Sequence, residues 1–540
     1  MATTDLRDPP RPVAGRAPAA GPGGAAVALP GAALGVGLGL WGITRGDSIW
    51  GDEAVTYQTA HRTPAQLWKL IRHVDAVHAL YYLLMHYVFA VLGGGLVVLR
   101  LPSVLGVAAA AAGVALIGRR LVSARAGLLA GLAFPVFPAV QQYAQEGRSY
   151  GLVSAGVVLS GLLLLRALDR PGPARWSGPA RWSGYAAAAL VTSVLHEFAV
   201  LAVLAQGLTL LLSHPPWRVM RCWLGSFAVV LAGLAPLLRL SSTQSQQVAW
   251  IPFPGTGTVL FAAGTVLAGG LCALACRRPP GSPPGSPPGG IPGSPAGGIP
   301  GGIPGRDRDR VTPSVTAFAL PLLMLPQTAL MLVSLADPVY LDRYVVFEYA
   351  GLALLAAAAL DRIGGRARWP VLLVVPAALL LLLPTELHLR TPQGRPDDLA
   401  AAARAAHTLG RPGDGVLFMP SARREAELVY PRDFAGLWDL ALSAPVAPSG
   451  TLNGVELAAR QVTGRMGGLA RIVVVRTDGR VLPEGTRVDA AMQRMLDEEF
   501  RVCSRTEVRD MTVTSYARPG HCSPTASTGT PPKARSKRDA

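Results

Sequence analysis

The stretch AVALPGAALGVGLGLWGITRGDSIWGDE, residues 26–53, joins a run with no charged side chain to a short loop ending in two carboxylates. A helix needs about 20 apolar residues to cross a hydrocarbon core of ~30 Å, and residues 26–44 come close to that. Outward from this stretch the same pattern recurs. The chain has 540 residues, of which 50% are apolar and only 15% charged, and its mean hydropathy is +0.35. That is too few charges to cover the surface of a soluble protein of this size. Further spans are expected near 96–117, 126–142, 150–166, 223–240, 257–276, 314–335, 345–360 and 370–385. The segment 185–212 is too long for one span and carries His196 and Glu197 at its middle, so it reads as two helices. The total is about 11 crossings, an all-α polytopic membrane domain over 26–385. The apolar stretch 79–92 is short for a crossing and is expected to lie at the interface.

A formal net charge of +17 and a pI of about 10.3 would suggest nucleic acid in a soluble protein. Here the basic residues are nearly all Arg and sit between apolar runs, so they read as orientation signals, and no nucleic-acid partner is expected. Arg119, Arg120 and Arg125 fall in one loop, Arg166 to Arg181 in the next, and Arg218 and Arg221 in a third. Arg277, Arg278 and the Arg306–Arg310 cluster fill a fourth, and Arg362, Arg366 and Arg368 a fifth. All five share one side if the N-terminus is inside, where cytoplasmic loops collect Arg and Lys. Residues 1–25 then form a disordered cytoplasmic terminus before a retained first span, since no small-residue cleavage site follows the apolar run before Asp47.

The tandem PARWSG of 173–184 and the Pro/Gly-rich loop 279–310 read as linkers on the inner side. From 386 charges and turn residues return, and a small α/β domain is expected over 386–522, followed by a disordered tail at 523–540. Its expected elements are a helix at 397–409, strands at 416–419 and 471–475, a helix at 487–499 and the alternating VRDMTVTSY of 508–516. Eleven crossings from an inside start put this domain outside the cell membrane. Cys503 and Cys522 flank its last strand and are candidates for a disulfide there. Cys222, Cys272 and Cys276 lie at or in spans and read as packing residues.

Four polar clusters fall on the outer side under a topology fixed by Arg counting alone. The first loop carries Asp52 and Glu53 beside Trp50. A partly desolvated carboxylate there can take a proton from a hydroxyl, or the pair simply caps the helix that follows. Next come Asp75 and His78 one helical turn apart, with Tyr81 and Tyr82 beyond, a pair that can hold a cation or a sugar hydroxyl, or anchor an interfacial helix. The run QQYAQEGRSYG at 141–151 brings Arg148 beside Tyr143, Glu146 and Tyr150, and DPVYLDRYVVFEY at 337–349 places Arg343 between Asp342 and Tyr344. Arg offers fixed donors for a phosphate, or the Arg and Tyr of both runs simply anchor the chain at the membrane boundary.

The order W-x-D-E, then D-x-x-H-x-x-Y-Y, then Y-A-Q-E-x-R-S-Y, then Y-L-x-R-Y resembles the GT-C superfamily of membrane glycosyltransferases. It is most similar to glycosyltransferase family 39, the protein O-mannosyltransferase and aminoarabinose-transferase group, and the mannosyltransferase-like proteins of actinobacteria. The resemblance covers about residues 26–385. It implies a lipid-linked polyprenyl-phosphate sugar donor, inverting transfer on the outer face of the cell membrane, and a first-loop Asp as base, which falls on Asp52 with Glu53 beside it. Arg148, Arg343 and Tyr344 match positions expected at the donor phosphate; Tyr57, Asp75, His78, Tyr82, Tyr143, Glu146 and Tyr150 are the candidate substrate contacts. The acceptor, whether glycan, lipid or protein, stays open, because the C-terminal domain carries no sugar-binding motif of that group. No cofactor is implied with certainty, and a divalent metal at Asp75 and His78 stays open. The Asp307–Asp309 pair has metal-site spacing but falls in the inner Pro/Gly loop. No GxxxxGK[ST] occurs, which weighs against an ATP-driven pump. A flippase for lipid-linked glycans and a non-catalytic scaffold are the alternatives from other classes.

Overall fold

The structure, a computed structural model, describes residues 23–169, 177–244, 250–277, 311–364, 373–477 and 487–522. The N-terminal segment before Gly23, the Asp307–Asp309 loop, the first PARWSG copy apart from its last two residues, and the basic tail lie outside these residues.

Among the described residues the membrane part is built of helices and the turns that join them. Its elements are α1 (Gly24–Leu40), α2 (Gly51–Ala60), α3 (Pro64–Ile71), α4 (Ala79–Leu92), α5 (Leu96–Leu121), α6 (Ala124–Ala133), α7 (Pro138–Ala144) and α8 (Tyr150–Ala167). They continue with α9 (Ser177–Leu195), α10 (Val200–Leu212), α11 (Trp217–Ser242), α12 (Thr256–Ala275), α13 (Val315–Val333), α14 (Tyr349–Ile363) and α15 (Val374–Leu389). Six helices among the described residues are long and apolar enough to cross a membrane, and seven if the pair α6–α7, bent by 64° at its break, counts as one span. The chain is thus a multi-pass membrane protein. An 11-crossing count also needs α9, α10, α14 and α15, of 19, 13, 15 and 16 residues. Helices α9 and α10 break at His196 and Glu197, where a split was expected. The second PARWSG copy is a correction: it belongs to α9, and Trp182 packs edge-on against Tyr185 at 5.9 Å.

Helix α5 is the axis of the bundle, and small residues let its neighbours approach. A Cβ at Gly106 would sit 2.5 Å from the carbonyl carbon of Gly151 in α8, so the two backbones touch. Helices α11 and α12 lie at the periphery, with Val229, Leu260, Phe261 and Leu267 exposed as lipid-facing side chains would be. The Arg-bearing turns gather at one end of the bundle: Arg120 pairs with Asp169 at 2.7 Å, Arg125 with Asp361, and Arg362 Nη1 donates to the Cys276 carbonyl at 2.8 Å. Arg100 and Arg120 stand 20 residues apart on α5, about 30 Å at 1.5 Å per residue, so Arg100 marks the opposite end.

The C-terminal α/β region adds α16 (Leu399–Leu409), α17 (Glu425–Val429), α18 (Val446–Ser449), α19 (Ala459–Gly467) and α20 (Arg487–Glu499). Its strands are β1 (Gly415–Met419), β2 (Trp438–Asp439), β3 (Leu442–Ala444), β4 (Val455–Glu456), β5 (Arg471–Thr477), β6 (Arg501–Val508) and β7 (Met511–Ala517). The main sheet runs β2-β1-β5-β7-β6, with β1 parallel to β2 and β5, and β7 antiparallel to β5 and β6. Strand alternation splits the core. Phe418, Val473, Val475 and Val513 pack with α16, while Leu417, Ile472 and Val474 pack with Val462, Met466, Met492 and Leu496 of α19 and α20. The run 508–516 is not a single strand: it spans the β6–β7 turn, where Asp510 takes φ +59. Cys503 and Cys522 are joined by a disulfide, tying the chain after β7 to the edge strand β6.

Candidate active site

Helix α2 carries two acidic residues in its first turn, where the helix dipole favours them. Consecutive residues on a helix point about 100° apart, so the two carboxylates must meet different surroundings. Asp52 keeps 25% of its side chain exposed, and its Oδ2 lies 3.2 Å from Arg343 Nη2 and 3.9 Å from Arg148 Nη2. Glu53 has 0% exposure and accepts from Arg100 Nε and Nη2 at 2.7 and 2.6 Å and from the Gly147 N–H at 2.9 Å. Burial alone would raise its pKa, but the Arg100 charge outweighs it and holds the carboxyl down at about 2.

Arg148 sits in the turn between α7 and α8. Its Nη2 lies 2.9 Å from His78 Nε2, and its Nη1 reaches Tyr82 Oη at 3.2 Å and the Asp52 carbonyl at 3.4 Å. Tyr82 in turn donates to Asp75, and His78 Nε2 is 3.9 Å from Asp75 Oδ1. Arg343 belongs to the turn before α14, with the rings of Trp50, Trp250 and Tyr344 at 5.7, 5.6 and 5.8 Å from its guanidinium carbon. Such contacts steady a cation without neutralising it. Tyr143 donates to Asp342 Oδ1 at 2.8 Å, and the Tyr150 ring lies 5.6 Å from Tyr143 and 6.4 Å from Tyr344. Among the described residues, Trp50 Nε1, Tyr150 Oη, Arg148 Nε and Arg343 Nε are buried with no hydrogen-bond partner. Donors and charge of this kind suit a desolvated anion.

One cluster therefore unites Asp52, Asp75, His78, Tyr82, Tyr143, Arg148, Tyr150, Arg343 and Tyr344. Three of the expected residues stand apart from it. Glu53 is committed to Arg100. Glu146 pairs with Arg395 of the C-terminal region, although burial pushes its carboxyl above the usual range. Tyr57 faces the other side of α2, its ring 5.9 Å from Phe89, and lines a cavity of about 590 Å³ with Gln58 of α2, His61 and Arg62 just after it, and Arg424 and Glu427 of the α/β region. In that cavity burial and Asp439 raise the Glu427 carboxyl to about 7.

Asp75 and His78 do not suit a divalent cation, because His78 Nε2 faces the positive Arg148 and Asp75 accepts from Tyr82. Among the described residues no group of three or more His, Cys, Asp or Glu could hold a metal.

Several further residues join the site in the folded chain. His196, at the α9–α10 break, packs 4.9 Å from Tyr344, 5.6 Å from Tyr150 and 5.9 Å from His78. A histidine amid an apolar stretch was the available signal, as was Arg100 inside an apolar span. Trp250, Arg395, Asp397 and Tyr430 carried none, since each reaches the site only through the tertiary fold.

No family model matches the chain, and neither does any curated protein. Solved structures do. ArnT from Cupriavidus metallidurans bound to undecaprenyl phosphate superposes with a TM-score of 0.52 at 13% identity, covering 91% of this chain and 98% of that one. The archaeal oligosaccharyltransferase AglB from Archaeoglobus fulgidus, in complex with an inhibitory peptide and a dolichol-phosphate, gives 0.42 at 13%, covering 84% and 69%. The arabinofuranosyltransferase AftD from Mycobacteria gives 0.42 at 15%, covering 90% of this chain and 41% of that one. The chain shares the fold of ArnT over nearly the whole of both chains, and at 13% identity the likeness is one of fold alone.

Proposed function

We propose that the protein is an integral-membrane glycosyltransferase that moves a sugar from a polyprenyl-phosphate donor to an acceptor hydroxyl, with inversion. The observation that carries this reading is the partly exposed Asp52 carboxylate held between Arg343 and Arg148 at the end of the bundle away from the Arg-rich turns. A polyprenyl-phosphate donor brings both an anion for the two guanidinium groups and a leaving group that needs no separate acid. As the donor phosphate engages Arg343 and Arg148, Asp52 is released to take the proton of the acceptor hydroxyl. The acceptor oxygen then bonds to the anomeric carbon from the face opposite the phosphate, and the bond from that carbon to the phosphate oxygen breaks. The proton stays on Asp52 until it passes to solvent.

Glu53 has a different part in this reading: locked to Arg100, it positions α2 rather than acting as a base. His78 and Tyr82 orient Arg148, while Tyr143, acting through Asp342, helps fix the Arg343 turn. Tyr150, Tyr344 and His196 form an aromatic wall on which a sugar ring can lie. No step needs a metal. The Arg-rich turns face the cytoplasm, so site and α/β domain lie outside the cell membrane; mannose is the first sugar to assay, followed by other hexoses and pentoses.

Membranes carrying the wild type or Asp52→Asn, supplied with polyprenyl-phosphate sugars, test the reading. The variant is expected to lose transfer by roughly 10²–10⁴-fold, the usual share of a general base. Undiminished transfer would remove Asp52 from the role, and a flippase or scaffold would show no transfer in either membrane.

A further inference from the structure

Helix α2 begins without a cap of its own: Trp50, at the N-cap, makes no side-chain bond to the first turn. The first N–H groups of a helix have no partner within it and must find one elsewhere. Here the Gly51 N–H donates to Asp397 Oδ1 at 3.1 Å, from a residue 346 positions further along the chain. The other Asp397 oxygen takes Arg423 Nη1 at 3.3 Å, and Arg423 is itself fixed by Asp510 at 2.7 Å and by Thr477 Oγ1 at 2.7 Å. The line of bonds thus runs from the start of α2 to the end of β5 and the β6–β7 turn.

A second tie runs in parallel. Tyr430 Oη accepts from the Ile49 N–H at 3.0 Å and donates to the Asp47 carbonyl at 2.6 Å, while Ser48 Oγ donates to Asp398 Oδ1 at 3.2 Å. All these bonds fall on residues 47–51, immediately before Asp52, in a segment where Asp47 itself takes φ +64. Gly51 is also the residue that permits the approach, since a Cβ there would meet Glu425 Oε2 at 3.1 Å and Asp397 Oδ2 at 3.3 Å.

We propose that Asp397, with Tyr430, is a positioning residue: the α/β region caps α2 from outside and so aims the Asp52 carboxylate at Arg343. The region is then part of the transfer machinery and not an appended module. A carboxylate at a helix N-terminus is favoured by the dipole, and a displacement of 1 Å in a reacting group can cost roughly 100-fold in rate.

The kinetic half of this inference rests on the transfer reading; the structural half does not. Hydrogen exchange on the full chain in lipid nanodiscs separates them. Asp397→Ala is expected to speed exchange of the 47–53 segment roughly tenfold while β5 and α16 keep wild-type protection. Asp397→Asn, whose amide oxygen can still accept from Gly51, is expected to restore much of it. Tyr430→Phe, which removes only one hydroxyl, provides a milder second case should Asp397→Ala fail to fold. In transfer assays kcat is expected to fall and recover in the same order, with the donor KM unchanged. Wild-type exchange at 47–53 in both Asp397→Ala and Tyr430→Phe, or loss of protection spread evenly over the α/β region, overturns the positioning role. The expected exchange pattern in a protein that transfers no sugar would sink the transfer reading and leave the cap standing.

Discussion

Arg343 Nη2 lies 3.2 Å from Asp52 Oδ2, so the group best placed to grip a phosphate and the group best placed to take a proton are paired with each other. A second anion arriving at Arg343 must weaken that pair. In the proposed transfer, donor binding and release of the base would therefore be one event, which keeps an exposed carboxylate from acting before the sugar is in place.

This coupling predicts opposite effects on donor affinity. Removing the Asp52 charge frees Arg343, so Asp52→Asn is expected to bind a polyprenyl phosphate at least as tightly as the wild type. Arg343→Lys keeps the charge but loses the planar fork stacked near Trp50 and Trp250, and is expected to weaken binding roughly tenfold. Titration of purified protein with polyprenyl phosphate checks both; weaker binding by Asp52→Asn would contradict the coupling.

Glu53 and Asp52 are neighbours in sequence with different expected phenotypes. Glu53→Gln leaves Arg100 buried without its counter-charge, and breaking a buried pair of this kind costs about 3–5 kcal/mol. Thermal unfolding in detergent is expected to show a large fall in midpoint for Glu53→Gln and little change for Asp52→Asn.

Asp397 gives a pH signature. Burial pushes its carboxyl from 3.8 up to about 6, with Arg423 and the Gly51 N–H pulling down and Asp52 and Asp510 pushing up. Because the folded value lies above the unfolded one, the folded chain holds a proton there that the unfolded chain has released. The stability from this group is complete below the unfolded value and lost as the pH rises through about 6. Asparagine holds no such proton, so Asp397→Asn should gain stability relative to the wild type between about pH 4 and about pH 7. Paired unfolding midpoints across that range decide it.

The Cys503–Cys522 bridge closes a loop with a sequence separation of 19 against the sheet edge. Replacing both with Ser is expected to cost about 2–4 kcal/mol, carried by the α/β region alone. Exchange of β6 and β7 amides, with and without reductant, reads this directly.

Orientation has its own test. A reporter active only outside the cytoplasm, fused after Arg390, is expected to be active, and an inactive fusion there, with a cytoplasm-active reporter working at the same site, would reverse the assignment of sides.

Much of the cluster could be read from the chain, for identifiable reasons. Asp52, Arg148, Arg343 and the tyrosines near them are polar groups next to apolar runs, and polarity at such a place is costly unless it is used. Glu53 looked the same as Asp52 because adjacent carboxylates differ only in azimuth, and azimuth has meaning only once Arg100 is packed behind one of them. The expected strand at 508–516 missed its turn because VRDMTVTSY alternates straight through Arg509 and Asp510. Tyr57 lies in the same loop as Asp52, yet it faces a different cavity.

Sequence alone determined the membrane, the gathering of Arg in alternate loops and the place of each motif at the end of a span, because hydropathy and charge are local properties summed over about 20 residues. Tertiary structure decided which carboxylate faces Arg343, that His196 closes the aromatic wall, and that the start of α2 is held by Asp397 and Tyr430. Those depend on contacts between residues as many as 383 positions apart. No window along the chain contains both partners of such a bond, and only the packed fold brings them within 3 Å or so of each other.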